Sequence, residues 1–141
     1  METVGEIGEK LVKQWLINKR WQIIQHRWRC RLGEIDLIAL PNNSSNSLAF
    51  IEVKTRSRNN WDEQGILAIT SQKQLKITQT ATYFLAKYPK YLDYNGRFDV
   101  ALVNYQKYNL QFCPKTESSL VWNNYYFKIQ DYLENAFEVN G

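Results

Sequence analysis

Two acidic residues stand at matching places in two apolar runs. Asp36 lies within Glu34-Ile35-Asp36-Leu37-Ile38-Ala39-Leu40, and Glu52 within Leu48-Ala49-Phe50-Ile51-Glu52-Val53-Lys54-Thr55-Arg56. The segment between them, Pro41-Asn42-Asn43-Ser44-Ser45-Asn46-Ser47, is rich in turn formers. Read as a hairpin symmetric about Ser44, the strands set residue i opposite residue 88 − i, so Asp36 faces Glu52 and Glu34 faces Lys54. Strand side chains alternate between faces. Glu34, Asp36, Glu52, Lys54 and Arg56 therefore share one face, and Ile35, Leu37, Ala39, Ala49, Ile51 and Val53 the other. Opposed carboxylates repel unless a cation or a proton lies between them. A hard divalent ion such as Mg²⁺ suits that arrangement, because it accepts a few carboxylate oxygens and keeps several waters. A lysine two residues on can orient or deprotonate an attacking water, or neutralise charge on a phosphate.

The same pattern also reads as a solvated strand face with charges protecting an edge. Leu48, Phe50, Ile38 and Leu40 weigh against that reading, since they share the charged face and confine the charges to one end of the hairpin. A second feature spans residues 19–31, where Lys19, Arg20, Arg27, Arg29 and Arg31 interleave with Trp21 and Trp28 and no acid intervenes. Such a mixture suits phosphate contact with base stacking. It equally suits a strand with buried tryptophans and a solvated arginine face.

These residues need elements to hold them. Thr3-Val4-Gly5-Glu6 has the pattern of a capping box, and Val4, Ile7, Leu11 and Trp15 continue at helical spacing, predicting a helix over 3–19. Strands are expected over 21–29, 34–40 and 48–56, with a polar loop over 57–65. Ser71 with Gln74 suggests a second cap, and Leu75, Thr78, Ala81, Thr82 and Leu85 carry a helix to residue 87 before Pro89 stops it. Further strands are read over 97–105 and 108–112, with Asp99 a partner for Arg97 or a backbone amide. The tail reads as a strand over 121–129 and a short closing helix carrying Tyr132, Leu133, Ala136 and Phe137. The order implies an α/β fold, a mixed sheet flanked by helices, in one domain spanning 1–141.

Composition narrows the chemistry. Eighteen basic and fourteen acidic residues give +4, and residues 1–60 carry all of the excess with ten basic against six acidic side chains. No apolar run approaches the roughly 20 residues of a membrane span, and no signal peptide is visible at the N-terminus. Cys30 and Cys113 lack metal-site spacing, and His26 is the single histidine. A cytoplasmic protein is expected, and any metal site would rest on carboxylates.

Asp36 followed by Glu52-Val53-Lys54 resembles the D…(D/E)-x-K core of restriction-endonuclease-like nucleases. The wider set is more specific. Gly5, Gly8-Glu9, Gly33 to Ala39, Phe50 to Arg56, Lys73, Arg97-Phe98-Asp99-Val100 and Asn135-Ala136-Phe137 together resemble the YraN-type family of uncharacterised bacterial proteins. That resemblance implies a restriction-endonuclease-like fold related to archaeal Holliday-junction resolvases. It implies hydrolysis of DNA phosphodiesters, in branched or structured DNA, with Mg²⁺ or Mn²⁺ on Asp36 and Glu52. Lys54 would assist the water and Glu9, from the first helix, would complete the site. Arg27, Arg29, Arg31, Arg56 and Lys73 are then expected to contact the nucleic acid, and a homodimer follows by analogy. A non-catalytic nucleic-acid-binding module on the same scaffold is the alternative. In one place the chain departs from the family: Trp61-Asp62-Glu63-Gln64-Gly65 stands where Phe-Gly-x-Pro is common.

Overall fold

The computed structural model describes residues 2–42, 46–58 and 69–137. Helix α1 (Val4–Asn18) leads into β1 (Gln22–Cys30), β2 (Gly33–Leu40) and β3 (Ser47–Ser57). Helix α2 (Ser71–Lys87), a 3₁₀ turn (Pro89–Tyr91), β4 (Asn95–Lys107), β5 (Ser119–Trp122) and β6 (Tyr125–Leu133) follow. The six strands form one sheet in the order β1-β2-β3-β4-β6-β5. Only the β3–β4 pair is parallel. A parallel pair needs a crossover over one sheet face, and α2 is the helix of that crossover. The result is an α/β fold of the arrangement expected from sequence, with α1 against one face and α2 against the other.

Each helix presents an apolar stripe to its face. The Thr3 hydroxyl accepts from the Glu6 N–H at 3.1 Å, satisfying one of the donors left open at a helix start. Ile7, Leu11, Val12 and Leu16 then pack on Leu37, Ala39, Ala49, Ile51, Ala101, Val103 and Phe127. On the other side, the Thr70 hydroxyl caps α2 by accepting from the Lys73 N–H, one residue ahead of the expected Ser71. Ala81 and Phe84 pack on Trp28, Ile35, Ile38, Leu48 and Phe50. The helix ends at Tyr88, whose backbone is steered away from helical angles by Pro89.

Three sequence expectations are corrected. Residues 108–112 are not a strand: the Asn109 side chain accepts from the Gln111 N–H at 2.9 Å, which folds the segment into a turn and leaves Leu110 and Phe112 exposed. Residues 121–129 are not one strand but parts of the β5–β6 hairpin. Its turn residues, Asn123 and Asn124, have φ of 51° and 67°, the left-handed pair that a tight hairpin turn favours. The closing helix is absent too, because backbone groups there find partners elsewhere. The Asn135 N–H donates to Asp99 Oδ1 at 3.1 Å and the Ala136 N–H to the Phe98 carbonyl at 2.7 Å. Phe137 stacks on Phe98 with ring centres 4.9 Å apart.

Candidate active site

The register of the central hairpin follows the predicted symmetry. Leu37 pairs with Ile51, Ile38 with Phe50 and Ala39 with Ala49. At the next position the side chain of Asp36 takes over: its Oδ2 accepts from the Val53 N–H at 2.7 Å. A carboxylate thus stands where the backbone ladder between β2 and β3 gives way. The face assignment changes at the same place. Leu37 packs beneath α1 with Ala39, Ala49 and Ile51, the residues expected to share its face, but Ile35 packs with Trp28 in the cluster beneath α2. On β1, Arg27 lies between the pairs His26–Leu37 and Trp28–Ile35 and has φ of 56°. This left-handed residue rolls the strand pair over, so strict alternation fails on both strands around Asp36.

A cavity of about 260 Å³ opens here, with Asp36, Glu52, Glu34 and Gly33 on the sheet side and Lys73 and Thr80 from α2 on the other. Lys73 Nζ lies 2.8 Å from Glu52 Oε1. A Cβ on Gly33 would come within 2.8 Å of the Thr80 hydroxyl, so the glycine is what lets α2 close on the end of β2. Burial and the charge of Glu52, with smaller contributions from Glu9 and Glu34, push the Asp36 carboxyl up to about 8, against the pull of the Val53 N–H. Lys54 is buried on β3. Burial and the positive charges of Lys73 and Arg56 push its ammonium down, and Glu52 opposes them.

Glu9 and Lys54 do not line this cavity, whereas Asp36 and Glu52 do. Glu9 is buried on α1. Its Oε1 accepts from Arg27 Nε at 2.8 Å and lies 3.3 Å from His26 Nε2, while Arg27 also reaches Glu6 at 3.2 Å. The helix sits unusually close to the sheet at this point. A Cβ on Gly8 would fall 2.0 Å from the Thr55 hydroxyl, an oxygen that is buried with no hydrogen-bond partner among the described residues.

The expected nucleic-acid contacts separate in space. Arg27 is turned toward α1, Arg29 lies 3.4 Å from Glu34, and Arg31 and Arg56 are exposed. Lys73 sits inside the cavity. The described ion pair of Glu34 is thus with Arg29, its register partner on β1. Sequence reasoning missed the direct pairing of Lys73 with Glu52 and the wall formed by Lys76, Ile77 and Thr80. Their spacing from Lys73, at three, four and seven residues, marks one helix face and was the available signal. The departure at Trp61–Gly65 lies outside the described residues.

The donors suit a hard cation. Among the described residues no three His, Cys, Asp or Glu side chains group as a ligand set, so two carboxylates would share the shell with water and main-chain oxygens. Mg²⁺ commonly accepts such a shell. The raised Asp36 carboxyl is the physical sign of fit, because a bound cation would offset the burial and the Glu52 repulsion that hold its proton on.

Comparison with known proteins assigns the chain to a family. Residues 8–103, which include Glu9, Asp36, Glu52, Lys54, Lys73 and Asp99, match the uncharacterised protein family UPF0102. A UPF0102 protein of Trichormus variabilis is 45% identical over 142 residues, spanning 96% of this chain and 94% of the relative. One of Synechocystis sp. is 42% identical over 150 residues, spanning 97% of this chain and 99% of the relative. The chain belongs to the UPF0102 family.

Proposed function

We propose that this protein hydrolyses phosphodiester bonds in nucleic acid, DNA foremost, using Mg²⁺ or Mn²⁺ held by Asp36 and Glu52. The observation that carries the reading is Asp36 itself: a half-buried carboxyl given one N–H and raised by three other acids, on the wall of a cavity with a lysine across from it. Bound there, the cation would lower the pKa of an attacking water and stabilise charge on the phosphoryl oxygens. The Val53 N–H fixes the Asp36 carboxylate at the parting of β2 and β3. Lys54 lies two residues beyond Glu52, outside the cavity lining, with its ammonium pushed down by burial; from the cavity's edge it would accept the proton of the attacking water. Lys73 can leave Glu52 for the phosphate once a cation replaces it. Glu9, anchored by Arg27 and His26, adds negative potential at Asp36 from the α1 side.

One observation favours a second reading, a nucleic-acid-binding module without catalysis. The Lys73–Glu52 pair already neutralises one of the two carboxylates, which makes a cation less necessary. Linear and branched DNA incubated with the protein separate the two readings. Hydrolysis expects cleavage that requires Mg²⁺ or Mn²⁺ and collapses in Asp36→Asn, while binding in EDTA holds or tightens. Binding without cleavage of any substrate in either metal selects the module.

A further inference from the structure

Further along the sheet face that carries Glu52, a second cluster lies outside the Asp36 cavity. By register Arg56 of β3 lies beside Asn104 of β4, and Asn104 beside Lys128 of β6. Lys128 falls between Phe127 and Ile129, which pack beneath α1, so it points to the opposite face. Asn104, between Val103 and Tyr105, does the same. One step further, Arg58 Nη1 donates to Gln106 Oε1 at 2.7 Å. Arg58, Asn104, Gln106, Lys128 and Phe112 line a cavity of about 230 Å³ whose described wall has no acidic side chain. Phe112 is 71% exposed, yet the loop that presents it is tied down by the two residues that follow it. The Tyr126 hydroxyl donates to the Pro114 carbonyl at 2.5 Å, and Gln106 Nε2 donates to the buried Cys113 sulfur at 3.1 Å.

Cations without acids bind phosphates, amides accept and donate to sugar and base edges, and an exposed ring stacks on an unpaired base. We infer that this cluster is a second nucleic-acid subsite, with backbone phosphates on Arg58 and Lys128 and an unpaired base on Phe112. The inference rests on the nucleic-acid reading above and extends it to a track along the sheet. Arg58 follows Glu52 by six residues on and just past β3, about 20 Å at roughly 3.3 Å per residue. A strand advances about 3.4 Å per step in duplex DNA, so a strand that stays stacked as in a duplex meets this contact about six nucleotides from the reacting phosphate.

The test uses the full chain in EDTA with labelled single-stranded and duplex DNA, and the same single strand as RNA. The parent protein should bind a strand of about 16 nucleotides more tightly than one of about six, since only the longer one spans both sites. In Arg58→Ala/Lys128→Ala, that advantage should shrink by roughly tenfold, and the salt slope of log K should fall by about two units. Phe112→Ala should weaken single strands several-fold and leave duplex unchanged, with RNA following DNA because stacking and phosphate contacts are shared. Both cations are exposed, so thermal melting should match the parent and exclude misfolding. A double variant with the parent's salt slope and length dependence overturns the subsite, as does a parent that binds none of the probes. The hydrolysis reading fails separately: a parent that binds as described yet cleaves nothing with Mg²⁺ or Mn²⁺ loses catalysis and keeps this subsite.

Discussion

Asp99 and Asp36 are both drawn into the protein on central strands, and burial pushes both carboxyls above the usual range. Their surroundings then diverge. Asp99 accepts from Arg97 through Nε and Nη2 at 3.2 and 3.1 Å, from the Tyr132 hydroxyl at 2.7 Å and from the Asn135 N–H. Arg97 is itself packed over Trp21 at 5.3 Å. Every partner of Asp99 pulls its acidity back, and together they tie the start of β4 to the end of β6. Asp36 has one N–H and faces three acids, each of which raises it further. A buried carboxylate with a complete set of donors is a joint. One left among like charges is poised for a cation or a proton.

The largest expected effect breaks the joint. Asp99→Ala takes the shared carboxylate from the half-buried Arg97 and Tyr132 hydroxyl, leaving Arg97 only the exposed Glu134 at 3.7 Å, and should destabilise the fold by about 3–5 kcal/mol in urea unfolding. A change under about 1 kcal/mol would mean that Asp99 is dispensable and the contrast with Asp36 is misdrawn. Next comes the seating of α1. Gly8→Ala drives a methyl into the Thr55 hydroxyl and should cost about 1–3 kcal/mol. Thr55→Ala removes the hydroxyl and the γ-methyl that a Cβ at position 8 would meet, and should recover part of the loss when the two changes are combined.

Asp36→Asn should move stability in the opposite direction from Asp99→Ala. The folded carboxyl, at about 8, holds a proton that the unfolded chain, near 3.9, has already lost. Between those values the native state binds more protons than the unfolded one, so stability falls as pH rises through the window. The amide removes that dependence. Unfolding at pH 8 should show Asp36→Asn more stable than the parent by about 1–2 kcal/mol, with the gap closing toward pH 4. A variant less stable than the parent at pH 8 would place Asp36 with Asp99 among the joints. The smallest effect is at Lys73, whose pair with Glu52 is half exposed. Lys73→Ala should change stability by less than about 1 kcal/mol, but should weaken nucleic-acid binding and tighten divalent binding in its absence.

The two carboxylates were unequally legible in the sequence. The hairpin symmetry about Ser44 follows from the turn residues and the two apolar runs, and Leu37–Ile51 to Ala39–Ala49 keep it. Strict alternation failed around Asp36 because Arg27 takes a left-handed conformation that no periodicity announces. The partners of Asp99 could be guessed only locally. Arg97 is two residues away, but Tyr132 is thirty-three away, and it acts from a segment whose apolar spacing resembles a helix. Tertiary hydrogen bonds from Asn135 and Ala136 override that spacing. Asn123-Asn124 was a readable signal, since paired asparagines favour the left-handed angles of a tight hairpin turn.

Calorimetric titration of Mg²⁺ and Mn²⁺ into the parent, Asp36→Asn and Glu52→Gln, at pH 7 in buffers of different ionisation enthalpy, tests the central contrast most directly. A poised carboxyl predicts that the parent binds a divalent ion and releases a proton as it does so, because the cation displaces the proton that burial and the neighbouring acids keep on Asp36. Asp36→Asn should bind at least tenfold more weakly and release no proton, and Glu52→Gln should also bind more weakly. A parent that binds neither ion, or an Asp36→Asn protein that binds as the parent does with the same proton release, would contradict the account.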